Sequence, residues 1–185
     1  ITLVTNNLVN DNLDGQDTSA PANIRIATVA VLNGKDVDLV MTTPSSANIL
    51  RTPHDRQGQI TVTRTGIGKI KVAQNIANTF DVTYSFEYAD GSGAATFPSV
   101  AMTWLDIGAG EFVAFEPADM HSYSAGAAIT EEVNWATTFG WTGTRFRGTN
   151  TNSIPNVDDL LAMTAEQQTI ALQIVFRSVS SFRTS

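Results

Sequence analysis

Apolar and polar side chains alternate along most of this chain. From Thr79 to Tyr88 every even position is apolar or aromatic (Phe80, Val82, Tyr84, Phe86, Tyr88) and every odd position is polar. Successive residues of a strand point to opposite faces, so this stretch predicts a half-buried β-strand. The breaker Asp90-Gly91-Ser92-Gly93 follows. A second strand is predicted over Phe97 to Trp104, marked by Phe97, Val100, Met102 and Trp104. A turn at Asp106 to Gly110 then leads into a third strand, Glu111 to Phe115.

The same period predicts strands over Ile1 to Thr5, Asn23 to Leu32, Asp36 to Met41, Gln59 to Arg64 and Lys69 to Ala73. Further strands are expected at Met120 to Tyr123, Ala128 to Trp135, within Thr137 to Arg147, and as one long strand from Thr169 to Phe182. Asn33-Gly34 is a hairpin signal, because both residues tolerate positive φ. Asn6 to Thr18 and Thr42 to Gly58 read as loops. One stretch has a helical character, residues 157–168, where Thr164 and Gln167 make a capping-box pair. Roughly ten to twelve short strands at this spacing predict an all-β fold: a single antiparallel β-sandwich of jelly-roll type over 1–185, with at most one short helix.

Composition narrows the picture. The chain has 185 residues, 42% hydrophobic and 16% charged, with a net charge of −7. A chain of this size buries a core without staples, and polar surface must come from Thr, Ser, Asn and Gly. The negative charge argues against nucleic acid, which requires basic patches. There is no cysteine, so disulfides and thiolate metal sites are excluded. No apolar run approaches the ~18 residues of a membrane span. The start at Ile1 rather than Met leads us to expect processing or trimming to a domain, and a removed signal peptide would explain it.

Several short motifs carry a resemblance. Asn7-Leu8, Asp17-Thr18, Asn23-Ile24-Arg25 and Val37-Asp38-Leu39-Val40 form the first group. Phe97 to Asp106 with Glu111-Phe112-Val113 form the second, and Met163 to Gln167, Val175-Phe176 and Ser180-Ser181-Phe182 the third. Together they resemble secreted β-sandwich domains of large extracellular proteins of microalgae and other aquatic microbes. The turn after the central strand is more acidic in that pattern; here Asp106 to Gly110 holds one acid before Glu111. The resemblance implies a location outside the cell and an adhesive or structural role.

Two stretches have oxygen donors suited to calcium. Asn10, Asn12 and Asp14, followed by Gly15, alternate like the first half of a calcium loop, although Pro21 stands where the bidentate Glu belongs. An Asx-rich turn is the alternative. Asp106 with Glu111, joined by Glu116 or Asp119, is the second; two carboxylates capping a turn is its alternative. His54 and His121 are the two histidines. No Gly-x-Ser-x-Gly elbow accompanies them, and two imidazoles without a thiol argue against zinc. Glu87, Asp106, Glu111 and Glu116 contain acid pairs of the kind glycosidases use, but the same positions suit a solvated sheet face. Trp135, Phe139, Trp141 and Phe146 follow the period less regularly, and they are the candidates for a ligand or interface surface.

The chain is therefore expected to be non-enzymatic and extracellular or at the cell surface. Its leading role is as a structural subunit of a filament, coat or adhesive assembly. It would self-associate through edge strands such as Ile1 to Thr5 or Thr169 to Phe182. The alternative is a carbohydrate-binding or adhesion module for glycans. No cofactor is expected in either case, with calcium left open.

Overall fold

A computed structural model describes residues 8–13, 18–43, 60–62, 68–70, 81–137, 140–151 and 162–185. Among them are thirteen strands and one short helix, so the all-β expectation holds. No described helix is long and apolar enough to cross a membrane. The chain forms two compact units, residues 1–96 and 97–185.

The first unit is built on β1 (Leu8–Asp11), β2 (Ile24–Leu32), β3 (Lys35–Thr42) and β6 (Val82–Tyr88), antiparallel in that order. A small separate hairpin pairs β4 (Ile60–Val62) with β5 (Gly68–Ile70). Asn33 and Gly34 join β2 to β3 in a two-residue turn, at φ 53° and 76°, as their chemistry predicts. β1 falls in a segment read as loop. Its Asn and Asp side chains hide the strand from a propensity argument. The Ile1 to Thr5 strand lies outside the described residues.

Strand β3 is buried on both faces from Val37 to Met41. That places the Asp38 carboxylate, 6% exposed, in a low-dielectric setting. β2 carries a bulge opposite it: four steps from Ile26 to Ala30 face two from Leu39 to Val37. Asp38 Oδ1 accepts the hydrogen bond of the Thr28 N–H inside the bulge (3.0 Å), and Oδ2 accepts from Arg25 Nε at 2.8 Å. Arg25 also reaches Glu87 at 3.3 Å.

The second unit is a sandwich by itself. One sheet orders β13 (Ser181–Thr184), β8 (Phe112–Phe115), β11 (Thr142–Gly148) and β10 (Ile129–Ala136). The other orders β7 (Phe97–Trp104), β12 (Leu172–Val179) and β9 (Met120–Ala125). Aromatic rings fill the space between them. Trp104 meets Phe115 edge-on at 4.7 Å, and Phe176 stacks on Phe182 at 4.1 Å. Phe115 also contacts Phe146 and Phe176. Each such pair contributes about 0.5–1.5 kcal/mol beyond area burial.

The helix α1 (Ala165–Thr169) has the predicted capping box: Gln167 N–H donates to Thr164 Oγ1, and Thr164 N–H donates to Gln167 Oε1. One expectation is corrected. Thr169 to Phe182 is not one strand but β12 and β13, which lie in opposite sheets. The alternation Leu172, Ile174, Phe176 lapses where Arg177 and Ser178 are both exposed and Ser178 turns to φ 50°. The chain then crosses at Ser180. β12 is paired on both sides, by β7 and β9, so it offers no edge for self-association.

Removing the Asp38 carboxylate would strand the Thr28 N–H and leave Arg25 with the exposed Glu87 alone. Asp38→Ala is expected to cost about 2–4 kcal/mol. Glu87→Ala, at a 43% exposed side chain, should cost under about 1 kcal/mol. Urea titration of the two variants checks the ordering.

Candidate functional site

The outward face of the four-stranded sheet gathers most of the second unit's unusual side chains. On β8, Val113 and Phe115 point to the core, which leaves Phe112 and Ala114 outward and Glu116 beyond them. On β11, Thr144 and Phe146 point inward, which leaves Gly143, Arg145 and Arg147 outward. The register confirms the shared face: Arg145 is opposite Ala114, and Arg147 opposite Phe112.

β10 joins this face through a slip of one residue. Glu132 is opposite Arg145, yet Trp135 is opposite Gly143, so three steps on β10 match two on β11. Asn134 takes up the extra residue at φ 58°. Without the bulge Trp135 would share the face of Val133; with it, Trp135 shares the face of Glu132 and Arg145.

Arg145 then lies over two rings, 5.0 Å from the Trp135 centroid and 5.3 Å from that of Phe112, and it pairs with Glu132. Phe112 and Trp135 meet edge-to-face at 4.9 Å. A second stack lies beside it, with the Arg183 guanidinium 5.3 Å over Trp141 and paired with Glu116. Cation–π contacts of this kind contribute about 0.5–2 kcal/mol each.

Trp141 is aimed by the β10–β11 turn. Thr137 Oγ1 accepts from Trp141 N–H at 3.2 Å and donates to its carbonyl at 3.0 Å. The ring lies across Gly143, where a Cβ would collide with both Trp141 and the Phe115 carbonyl. Small residues, Ala114 and Gly143, thus form the floor beneath the rings and guanidinium groups. Burial raises the pKa of Asp119, and the nearby Glu116 charge adds to this; the Arg183 backbone N–H and charge oppose both.

Of the candidates named for a ligand or interface surface, Trp135 and Trp141 lie on this outward face. Phe146 does not: it is wholly buried, against Phe115 and Tyr123, and serves the core. Phe139 lies outside the described residues. Phe112, Arg145 and Arg183 belong to the face but are missed by a search for aromatic loops. Two of them are arginines at alternating strand positions, which a sequence reads as ordinary solvated charge.

At both calcium candidates the described side chains bond to neighbouring backbone. Asn10 Nδ2 donates to the Pro21 and Asn23 carbonyls and to Asn23 Oδ1, at 2.7–3.0 Å. Asn12 Nδ2 donates to the Ala20 and Pro21 carbonyls, both at 3.1 Å. Carbonyl oxygens demand a donor, so these amides clamp the 20–23 turn with their nitrogen ends. Asp14 lies outside the described residues. Glu111 Oε2 accepts from the Gly108 N–H at 2.8 Å and so caps the turn that Asp106 opens at φ 66°. No group of three or more His, Asp or Glu converges among the described residues.

With this geometry in view, the chain can be set beside known proteins. No protein-family description matches it, and no curated protein sequence does. Among solved structures it is similar to the N-terminal domain of the Streptococcus gordonii adhesin Sgo0707, with a TM-score of 0.51 and 15% identity. The match covers 89% of this chain and 42% of that one, so the chain spans less than half of that adhesin domain's length. At this identity the likeness is one of fold: an antiparallel β-sandwich. No comparison supports the microalgal kinship suggested by the short motifs.

A carboxyl whose folded pKa lies above its unfolded value near 3.8 penalises the fold while ionised. The penalty is relieved as pH falls through the raised value. Asp119→Asn is therefore expected to raise the melting temperature near pH 7 and to match the parent near pH 3. The carboxamide oxygen still accepts from the Arg183 N–H. Thermal melts across that range test it.

Proposed function

We propose that this chain is a non-enzymatic extracellular binding module of adhesion type, and that it engages a glycan through the outward face of the β13-β8-β11-β10 sheet. The observation that carries the reading is the pair of ring–guanidinium stacks, Trp135–Arg145–Phe112 and Trp141–Arg183, fixed over a floor of Ala114 and Gly143. Half-buried aromatic rings held rigidly beside charged hydrogen-bond donors present apolar and polar contacts at low entropic cost. The fold likeness to an adhesin domain supports the same reading.

Strand edges favour it over assembly by strand addition. Among the described residues, β1 ends the sheet of the first unit, and β7, β9 and β10 end sheets of the second. Each is interrupted. β1 has an extra residue at Val9, β9 at His121 and β10 at Val133-Asn134, and β7 carries Pro98. Bulges and proline blunt an edge against pairing with another chain. A subunit of a filament or coat would then need side-chain contacts rather than a shared sheet.

The double variant Trp135→Ala/Trp141→Ala should lose at least about tenfold of glycan affinity on an array, with the β circular-dichroism spectrum retained. Ordered polymers in electron micrographs that persist in this variant would favour the assembly reading. Calcium is tested in the same assay. Adding EDTA is expected to change nothing, because no three acidic or histidine side chains converge among the described residues.

A further inference from the structure

Taking the binding face of the preceding section as given, the geometry points to an acidic saccharide as its ligand, with Arg147 as the residue that engages the carboxylate or sulfate group. The second unit holds four basic residues, Arg145, Arg147, Arg177 and Arg183, and no lysine. Three of the four are on this one face, within a chain of net charge −7.

The charges already present divide unevenly among those three. Arg145 is engaged by Glu132, and Arg183 by Glu116. Arg147 is exposed and directly opposite Phe112 on one side and Thr130 on the other. Its guanidinium has no ion-pair partner among the described residues. Arg147 stands two residues from Arg145 on the same side of β11 and is in register with Phe112, so it extends the row that carries the Phe112–Arg145–Trp135 stack. A guanidinium binds a carboxylate or a sulfate ester through two parallel N–H donors. An apolar surface beside it suits the C–H faces of a sugar ring. A neutral sugar would leave this cation unanswered, whereas a uronate or sulfated unit answers it.

The sources of the acid are separated by probe. Binding is measured by biolayer interferometry at about 0.15 M salt, where long-range attraction between exposed charges is screened. The probes are polygalacturonate (carboxylated), dextran sulfate (sulfated) and dextran (neutral). One of the acidic polymers is expected to bind at least about tenfold more tightly than dextran, and Arg147→Gln is expected to remove that preference. Preference for polygalacturonate identifies the acid as a carboxylate, and preference for dextran sulfate identifies it as a sulfate.

Arg177→Gln is the control. Arg177 is exposed on β12, opposite Ser99, in the other sheet. Equal losses in the two variants would reveal general charge attraction and overturn the inference. So would dextran binding as tightly as the acidic polymers, or an Arg147→Gln variant that keeps the preference. Silence with all three polymers, set against positive neutral spots on the glycan array, would overturn the acidic ligand and leave the binding face standing. Silence in both assays would remove the binding face itself.

Discussion

Side chains of a β-strand are dealt alternately to two faces, and one inserted residue reverses the deal for everything beyond it. In this protein that constraint decides more than the identity of any one residue. Val113, Phe115, Thr144 and Phe146 take the inner face of their sheet, which obliges Phe112, Ala114, Arg145 and Arg147 to take the outer one. The aromatic core between β7, β8, β12 and β13 fixes the inner assignment, and the ring–guanidinium stacks inherit their positions from it. A second reversal at Val133-Asn134 recruits Trp135 to the outer face. The core and the candidate binding face are therefore two outcomes of one register.

The first unit uses the same device for another end. The bulge in β2 frees a backbone N–H, and Asp38 is buried beside it to accept that bond. Arg25 supplies the compensating charge. A buried carboxylate that looks costly by itself is stable because it bonds a backbone donor and a guanidinium together.

Much of the fold could be read directly from residue order. Strong alternation gave β6, β7 and β12 their positions. Asn33-Gly34 and the Thr164–Gln167 box predicted a hairpin turn and a helix start because local chemistry alone determines both. Legibility ended where pairing partners decide the outcome. The polar residues of β1 form a strand because β2 is there to pair with, and the division between β12 and β13 depends on which sheet each joins. The candidate site was half visible: Trp135 and Trp141 stood out as irregular aromatics. Phe146, no different in local sequence, proved to be core. Arg145 and Arg183 gain their meaning only across strands, from rings tens of residues away. Asn10 and Asn12 have the composition of a calcium loop, but a neighbouring turn claims their amide nitrogens.

The crossing at Ser180 has a further consequence, for the order of events during synthesis. Phe182 stacks on Phe176 from the facing sheet, and Thr184 aligns with Phe115. The second unit cannot seal its interior until the nascent chain has delivered residues up to about 184 from the ribosomal tunnel. Until then β8 is without the flanking strand β13, and the rings of Trp104, Phe115 and Phe176 lack part of their cover. A chaperone that shields exposed aromatics would have its greatest effect in that interval.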